Sequence, residues 1–325
     1  MRRRTFLTGA AGLAGIGWSG TSRAQAQAWP SKPIRLVVGF AAGGASDIVG
    51  RLISPGLGER LGQTVYVENR AGAGGNLAAA SVAQAEPDGY TLMLATPGPE
   101  TINPTVYDKL PFDPRKDFAP IALLCSILDV LAVPADRPWK TVKEPIDDAR
   151  ARPGAITFSS SGIGSPSHVA LLLLQSLTGI NVVHVPYRGG GPMMGDFLAG
   201  RIDATIGTGP VLMPLGEGGQ LRILGVATAE RSPLAPHIPA ISESVPGYAM
   251  ANWLGLAAPV RTPPVLIEKI HQAALATLAD PAVRAKLTQQ SAVPTPLGPQ
   301  DYAAHVKAEY ERWTPLLKAA KAKVE

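Results

Sequence analysis

The 325 residues, 46% apolar and 17% charged, have the composition of a globular chain with sizeable cores and a length suited to roughly two domains, which sets aside disorder and fibrous architectures. The net charge of +5 would suit an anionic partner, but Arg2, Arg3, Arg4 and Arg23 fall before residue 29 with no acidic residue beside them. Without that segment 26 basic residues face 25 acidic ones, and the case for a nucleic acid or an anionic membrane as partner disappears.

Residues 1–28 combine a basic start, a short and weakly apolar stretch from Leu7 to Trp18, and an A-x-A site at Ala24 to Ala26 or Ala26 to Ala28. This is the pattern of a secretory signal peptide, and about a dozen such residues are too few to span a bilayer. Arg3-Arg4-Thr5-Phe6-Leu7 is similar to a twin-arginine export signal, although Sec signals can also carry adjacent arginines. The mature chain is therefore expected in the periplasm. The single cysteine, Cys125, cannot close an intramolecular disulfide, and its neighbours Leu123, Leu124, Ile127 and Leu128 mark it as a buried core residue.

Ile34 to Val38 reads as a buried strand, Gly43 and Gly44 as a tight turn, and Ile48, Val49, Leu52 and Ile53 as the apolar face of a helix. A strand, a glycine loop and a helix N-terminus leave free N–H groups with the positive end of the helix dipole behind them, so an anion is the natural guest. The same stretch could equally be an ordinary turn of an α/β protein. Residues 62–70 form a second strand, 71–76 another glycine loop, 77–85 a helix, and 90–96 a third strand whose continuous apolar character suits a parallel sheet covered on both faces. Ligands of open α/β sheets sit outside the carboxyl ends of the strands, which places the loops at 40–47, 71–76 and 96–103 on one rim.

An irregular connection over 97–120 leads to one long apolar strand, Ile121 to Val133, and then a helix over 141–152. A second unit repeats the opening: a strand over 155–159, a flexible loop over 160–164, and a helix with Ser165 as N-cap and Pro166 at N1 that stops at Gly179. Strand 180–185, loop 186–192, helix 193–199 and strands 202–206 and 221–227 complete it. A strand over 252–258, helices over 263–278 and 281–290, and an amphipathic helix over 301–322 close the chain. The apolar strands at 121–133 and 252–258 read as crossovers between two lobes, giving 29–128 with 252–325 to the first and 129–251 to the second.

No enzyme signature stands. H-E-x-x-H, C-x-x-C and G-x-S-x-G are absent, and neither glycine loop completes G-x-G-x-x-G or a P-loop, so no metal or cofactor is expected. His168 could hydrogen-bond a ligand, the opposite lobe or local backbone, while His184, inside an apolar strand, reads as a satisfied core histidine. Asp47 could bind a ligand amine or fix its own loop through backbone N–H groups. Arg70 and Arg188 border glycine loops and could meet a carboxylate, or stand in solvent or in structural ion pairs.

Trp29 to Val38, the turn Gly43-Gly44-Ala45-Ser46-Asp47, Val67 to Asn76, Pro87 to Leu92, Asp113 to Ile121, Gly164 to His168 and Val183 to Gly189 together resemble the Bug-type substrate-binding proteins of tripartite tricarboxylate transporters. The resemblance runs from about residue 29 to the C-terminus. It implies an α/β, two-lobed periplasmic-binding-protein fold of the type II kind, each lobe a sheet flanked by helices. Such a protein, expected as a monomer, closes its cleft on a small mono- or dicarboxylate, amino acids and aromatic acids included, for membrane transporter subunits and without catalysis. In that family the first strand-to-helix loop grips the carboxylate with backbone amides and bridging waters. Carried over, Phe40, Ala41, Ala42, Gly43, Gly44 and Asp47 match that loop, Thr96 the exit of the third strand, and Ser161, Gly164, Ser165 and His168 the facing loop of the second lobe. The chain departs from the family pattern at Gly39 and Ala71, where Pro is common, and at Ile206-Gly207-Thr208-Gly209, where an aromatic or Asp/Asn-containing segment usually reads the ligand's far end. A sensor subunit docking on a signalling receptor would share these features, whereas a secreted hydrolase would need a nucleophile with a base in reach.

Overall fold

The computed structural model describes residues 29–320; the expected signal peptide and the last residues of the expected C-terminal helix lie outside the described residues. β1 (Ile34–Val38) leads through α1 (Ala45–Leu61), β2 (Val65–Asn69) and α2 (Asn76–Ala83) to β3 (Thr91–Ala95). A π-helical turn, Gly98–Ile102, and the short α3 (Asn103–Val106) fill part of the stretch expected to be irregular. β4 (Phe118–Ile127), β5 (Asp129–Pro134), α4 (Lys143–Ala151), β6 (Thr157–Ser160), α5 (Pro166–Thr178), β7 (Val183–Pro186), α6 (Gly190–Leu198), β8 (Ala204–Thr208), α7 (Gly209–Glu217) and β9 (Leu221–Val226) follow. β10 (Asn252–Pro259), α8 (Pro264–Ala279), α9 (Pro281–Gln289), β11 (Ala292–Leu297) and α10 (Pro299–Ala319) end the chain.

The strands form two sheets, so the expected α/β, two-lobed architecture is present. The first has the order β11-β4-β10-β3-β1-β2 and the second β7-β6-β8-β5-β9. β1 lies parallel between β2 and β3, with Leu36 opposite Val67 and Leu92. All five residues of β3 are buried, as expected, yet its other neighbour, β10, is antiparallel, and the sheet is mixed. α1 covers this sheet with Val49, Ile53, Leu57 and Leu61, each buried, contributing about 1.5–3 kcal/mol per large side chain before entropy is charged. That stripe carries the helix through Pro55 to Leu61, beyond the turn at which its sequence signal fades. Cys125 is fully buried, and burial pushes its thiol up to about 12.

Ile121 to Val133 is not one strand. It divides at Leu128 into β4 of the first sheet and β5 of the second, because an unbroken apolar run reports burial and not which sheet is being entered. Leu128 is held from both sides: its N–H donates to the Ser291 carbonyl at 3.0 Å, and its own carbonyl accepts from the Gly209 N–H at 2.6 Å. The chain returns after a segment that stays against the second sheet, where the Met250 N–H donates to the Ala227 carbonyl at 2.8 Å. At the return, the Asn252 side-chain amide donates to Asp129 Oδ1 at 3.2 Å, so the two crossings are tied to each other. α10 reaches over both lobes, with Tyr302 in the core beside Trp253 and Trp313 and Leu317 in the core under the second sheet. Among the described residues no helix is long and apolar enough to cross a membrane.

Candidate functional site

Four helices start where strands of the two sheets end: α1 after β1, α5 after β6, α6 after β7 and α7 after β8. Their first turns converge on one small cavity between the lobes, about 50 Å³ in volume. Gly44, Ala45 and Ser46 of the first lobe face Ser167, Gly190 and Thr208 of the second across it. The first N–H groups of a helix have no partner within that helix and carry the positive end of its dipole. Thr96, Ser161 and Asn252 add polar side chains, while Phe40, Ile127, Met193, Val211, Leu212 and Leu254 close the cavity with apolar surface. None of the lining residues is charged. An anion here would be held by amide and hydroxyl donors in a low-dielectric enclosure, where such bonds are strong, and not by a salt bridge.

Of the residues expected from the sequence, Phe40, Gly44, Thr96 and Ser161 line the cavity. Ala41 and Ala42 instead form the backbone surface on which the second lobe rests: a Cβ on Gly191 would fall 2.8 Å from the Ala42 carbonyl oxygen. Gly43 has φ +78°, and its N–H donates to Asp47 Oδ2 at 3.0 Å, so this amide is occupied within the loop. Asp47 also accepts from Arg51 Nε at 2.9 Å. Burial works against its ionisation, but the bonds from Arg51, the Gly43 amide and Asn69 outweigh it and hold the carboxyl below its ordinary value. Between the two roles open to Asp47, the geometry is that of loop fixing.

The facing loop is braced in a similar way. Ser165 caps α5, its Oγ accepting from the His168 N–H at 3.4 Å, and lies 3.0 Å from Ser167 Oγ. Ser167 Oγ in turn accepts from the Ser161 N–H at 2.9 Å. Gly164 donates its N–H to His168 Nδ1 at 3.2 Å and packs against Asn103 of the first lobe. The His168 ring stacks on His184 with centroids 4.4 Å apart. Burial first and the neighbouring ring second push its pKa down to about 3, and burial brings His184 down to about 4. Both imidazoles are neutral braces behind the loop; Gly164, Ser165 and His168 do not line the cavity. Arg70 is paired with Glu68 at 2.5 Å.

Ser167, Thr208 and Asn252 line the cavity without having been singled out in the sequence. Ser167 was visible as the N2 residue of a well-marked helix start, and Thr208 lies in the segment that departs from the family pattern. Asn252 is the lone polar residue at the head of an apolar strand, a weak signal by itself. Beneath the cavity floor the Asp129 side chain is buried, and burial raises its carboxyl to about 7 against the opposing bond from Asn252.

Residues 49–321 match the family described as tripartite tricarboxylate transporter family receptor. BugT of Bordetella pertussis is 29% identical over 302 residues, covering 92% of this chain and 93% of BugT. Among solved structures, R. palustris Rpa4515 with adipate is 37% identical with a TM-score of 0.88, over 91% of this chain and 100% of that one. MatC from Rhodopseudomonas palustris with bound malate is 32% identical with a TM-score of 0.84, over 89% of this chain and 100% of that one.

Proposed function

Because the chain belongs to the tripartite tricarboxylate transporter receptor family, we propose that it is an exported, monomeric solute-binding protein that captures a small carboxylate and presents it to membrane transporter subunits. Residues 1–28 serve in this reading as a cleaved export signal, and no chemistry is performed on the ligand. The observation that carries the proposal is the convergence of helix starts from both lobes on one cavity without a charged side chain. Adipate and malate in the related structures are carboxylates, which supports the same ligand class here.

The open lobes would offer the anion the first-turn amides of α1 beside Gly44 and Ser46, with the Thr96 hydroxyl at the exit of β3. Closure about Leu128 and the 251–252 connection then brings Ser161, Ser167 and Thr208 to its other side. The ligand stabilises the closed arrangement by its differential affinity for it, and that shape is what a membrane partner reads. A thermal-shift screen of carboxylates, with their neutral amides and amines of matched shape as controls, tests the reading. A ligand at 100 times its Kd should add about 2.7 kcal/mol of stability, and only carboxylates should do so. Equal stabilisation by amides, or stabilisation by amines or neutral sugars alone, would overturn the proposal.

A further inference from the structure

Asp129 opens β5, at the crossing from the first lobe to the second, and stands behind the cavity. Two lining residues flank it: Thr208 is its register partner on β8, and Asn252, at the head of β10, donates from its side-chain amide to Asp129 Oδ1 at 3.2 Å. The carboxyl is buried. Among the described residues no cation pairs with it, and Asn252 is its one side-chain partner. Burial of an acid without a counter-charge favours the protonated form, in keeping with a pKa of about 7.

The elements packed against Asp129 bring few groups that titrate. β8 and β10 offer Thr208 and Asn252, and beyond β9 the Ala227 N–H donates to the Asp129 main-chain carbonyl at 2.8 Å. The segment before β10 brings Tyr248, whose hydroxyl donates to the Ala170 carbonyl at 3.2 Å and, being buried, keeps its proton well above pH 10. His168 and His184, brought down to about 3 and about 4 by burial, are neutral at any ordinary pH. Glu100, the other buried acid with a value near 7, is bonded to Tyr302 and does not line the cavity.

The proton on Asp129 decides what Asn252 can offer a guest. An ionised carboxylate only accepts, so it holds the amide by its NH2 group. It also sets a negative charge one side chain away from an anion, in a cavity with no cation to offset it. A protonated carboxyl can donate to Asn252 Oδ1 instead, which turns the NH2 group towards the guest and removes the charge. Both effects favour the proton whenever an anion is bound. Resting on the carboxylate reading above, we propose that Asp129 is a positioning residue of the binding site: capture of a carboxylate is coupled to uptake of one proton from solvent by Asp129, which acts on the guest through the Asn252 amide.

By linkage, whatever factor the proton adds to affinity for the guest, the guest adds to affinity for the proton. Calorimetric titration with malate and with adipate, both ionised from pH 6.5 to 8.5, should show affinity falling roughly tenfold or more across that range. At pH 7.5 the heats in phosphate and in Tris should differ by the amount that proton uptake requires. Asp129→Asn and Asp129→Ser carry no charge and still donate to Asn252, so both should bind at pH 6.5 with little loss, keep a flat profile and take up no proton. A merely structural role would change affinity without changing the proton count. Glu100→Gln should keep the wild-type slope. A wild type with pH-independent affinity and no proton uptake overturns the coupling while leaving the proposed function standing. So do Asp129 variants that retain the slope or lose binding at pH 6.5, and a Glu100→Gln variant that abolishes it. Should the wild type hold another carboxylate of the thermal-shift screen and neither of these, the same titration is run with that one; binding of none overturns the proposed function along with the coupling.

Discussion

Asp129 puts a titratable carboxyl at the crossing between the lobes, 2% exposed and hydrogen-bonded to Asn252. Burial raises it from an ordinary 3.8 to about 7, so between those values the folded protein keeps a proton that the unfolded chain releases. Stability from this group is therefore present at acid pH and lost as pH rises towards and through 7. Glu100, buried beside Tyr302 and likewise raised to about 7, acts with the same sign. His168 and His184 act with the opposite sign, since their depressed values cost stability as pH falls below the ordinary 6.5. Asp129→Asn isolates one contribution: at pH 8 it should melt about 2 °C or more above the wild type, and near pH 4 the gap should close. Calorimetric melts across that range check it, and parallel profiles would remove Asp129 from the account. Side chains such as Asp47 and His168 show why roles were hard to read at this scale. Their neighbours in sequence gave the right loops, but whether a polar atom points at a guest or back at its own backbone depends on atoms brought in by the fold, such as Arg51 and His184.

The elements legible in the sequence are those whose local signals agree. β1 with α1 and β6 with α5 each combine an apolar run, a flexible turn and a helical stripe, and α5 adds a serine cap and a proline at N1. α7 was invisible for the opposite reason. Gly207, Gly209, Pro210, Pro214 and Gly216 read as loop, and only packing of Leu212 beneath the second sheet makes the segment a helix. The α5 start also separates a cap from a contact. Ser165→Ala removes the acceptor for the His168 N–H and should cost about 1 kcal/mol of stability. Ser167→Ala removes a hydroxyl that both holds the Ser161 N–H and lines the cavity, so it should weaken ligand binding more than its change in melting temperature explains. Melting curves and titrations of the two variants together check this; equal effects on binding would mean that the serines act only as scaffold.

For the whole molecule, the question is how closure is made possible, and the answer lies in backbone meeting backbone across the cleft. The Tyr107 hydroxyl of the first lobe donates to the Ile163 carbonyl of the second at 3.2 Å. Beside it Gly74, at φ +61°, comes so close to the same carbonyl that a Cβ would stand 2.4 Å from its oxygen, less than any real contact allows. Gly74→Ala therefore separates folding from closing. In an open molecule the residue pays only the left-handed backbone penalty of roughly 1–2 kcal/mol, so the ligand-free variant should fold and melt slightly early. The closed molecule cannot form without moving Ile163, and because ligand affinity is drawn from closure, binding of a carboxylate that the wild type holds should fall by roughly tenfold or more. Small-angle scattering at saturating ligand should then show a larger radius of gyration than the ligand-bound wild type. A variant that binds as tightly and compacts as far would show that the 73–75 loop yields, and that the lobes need not meet at Ile163 to hold their guest.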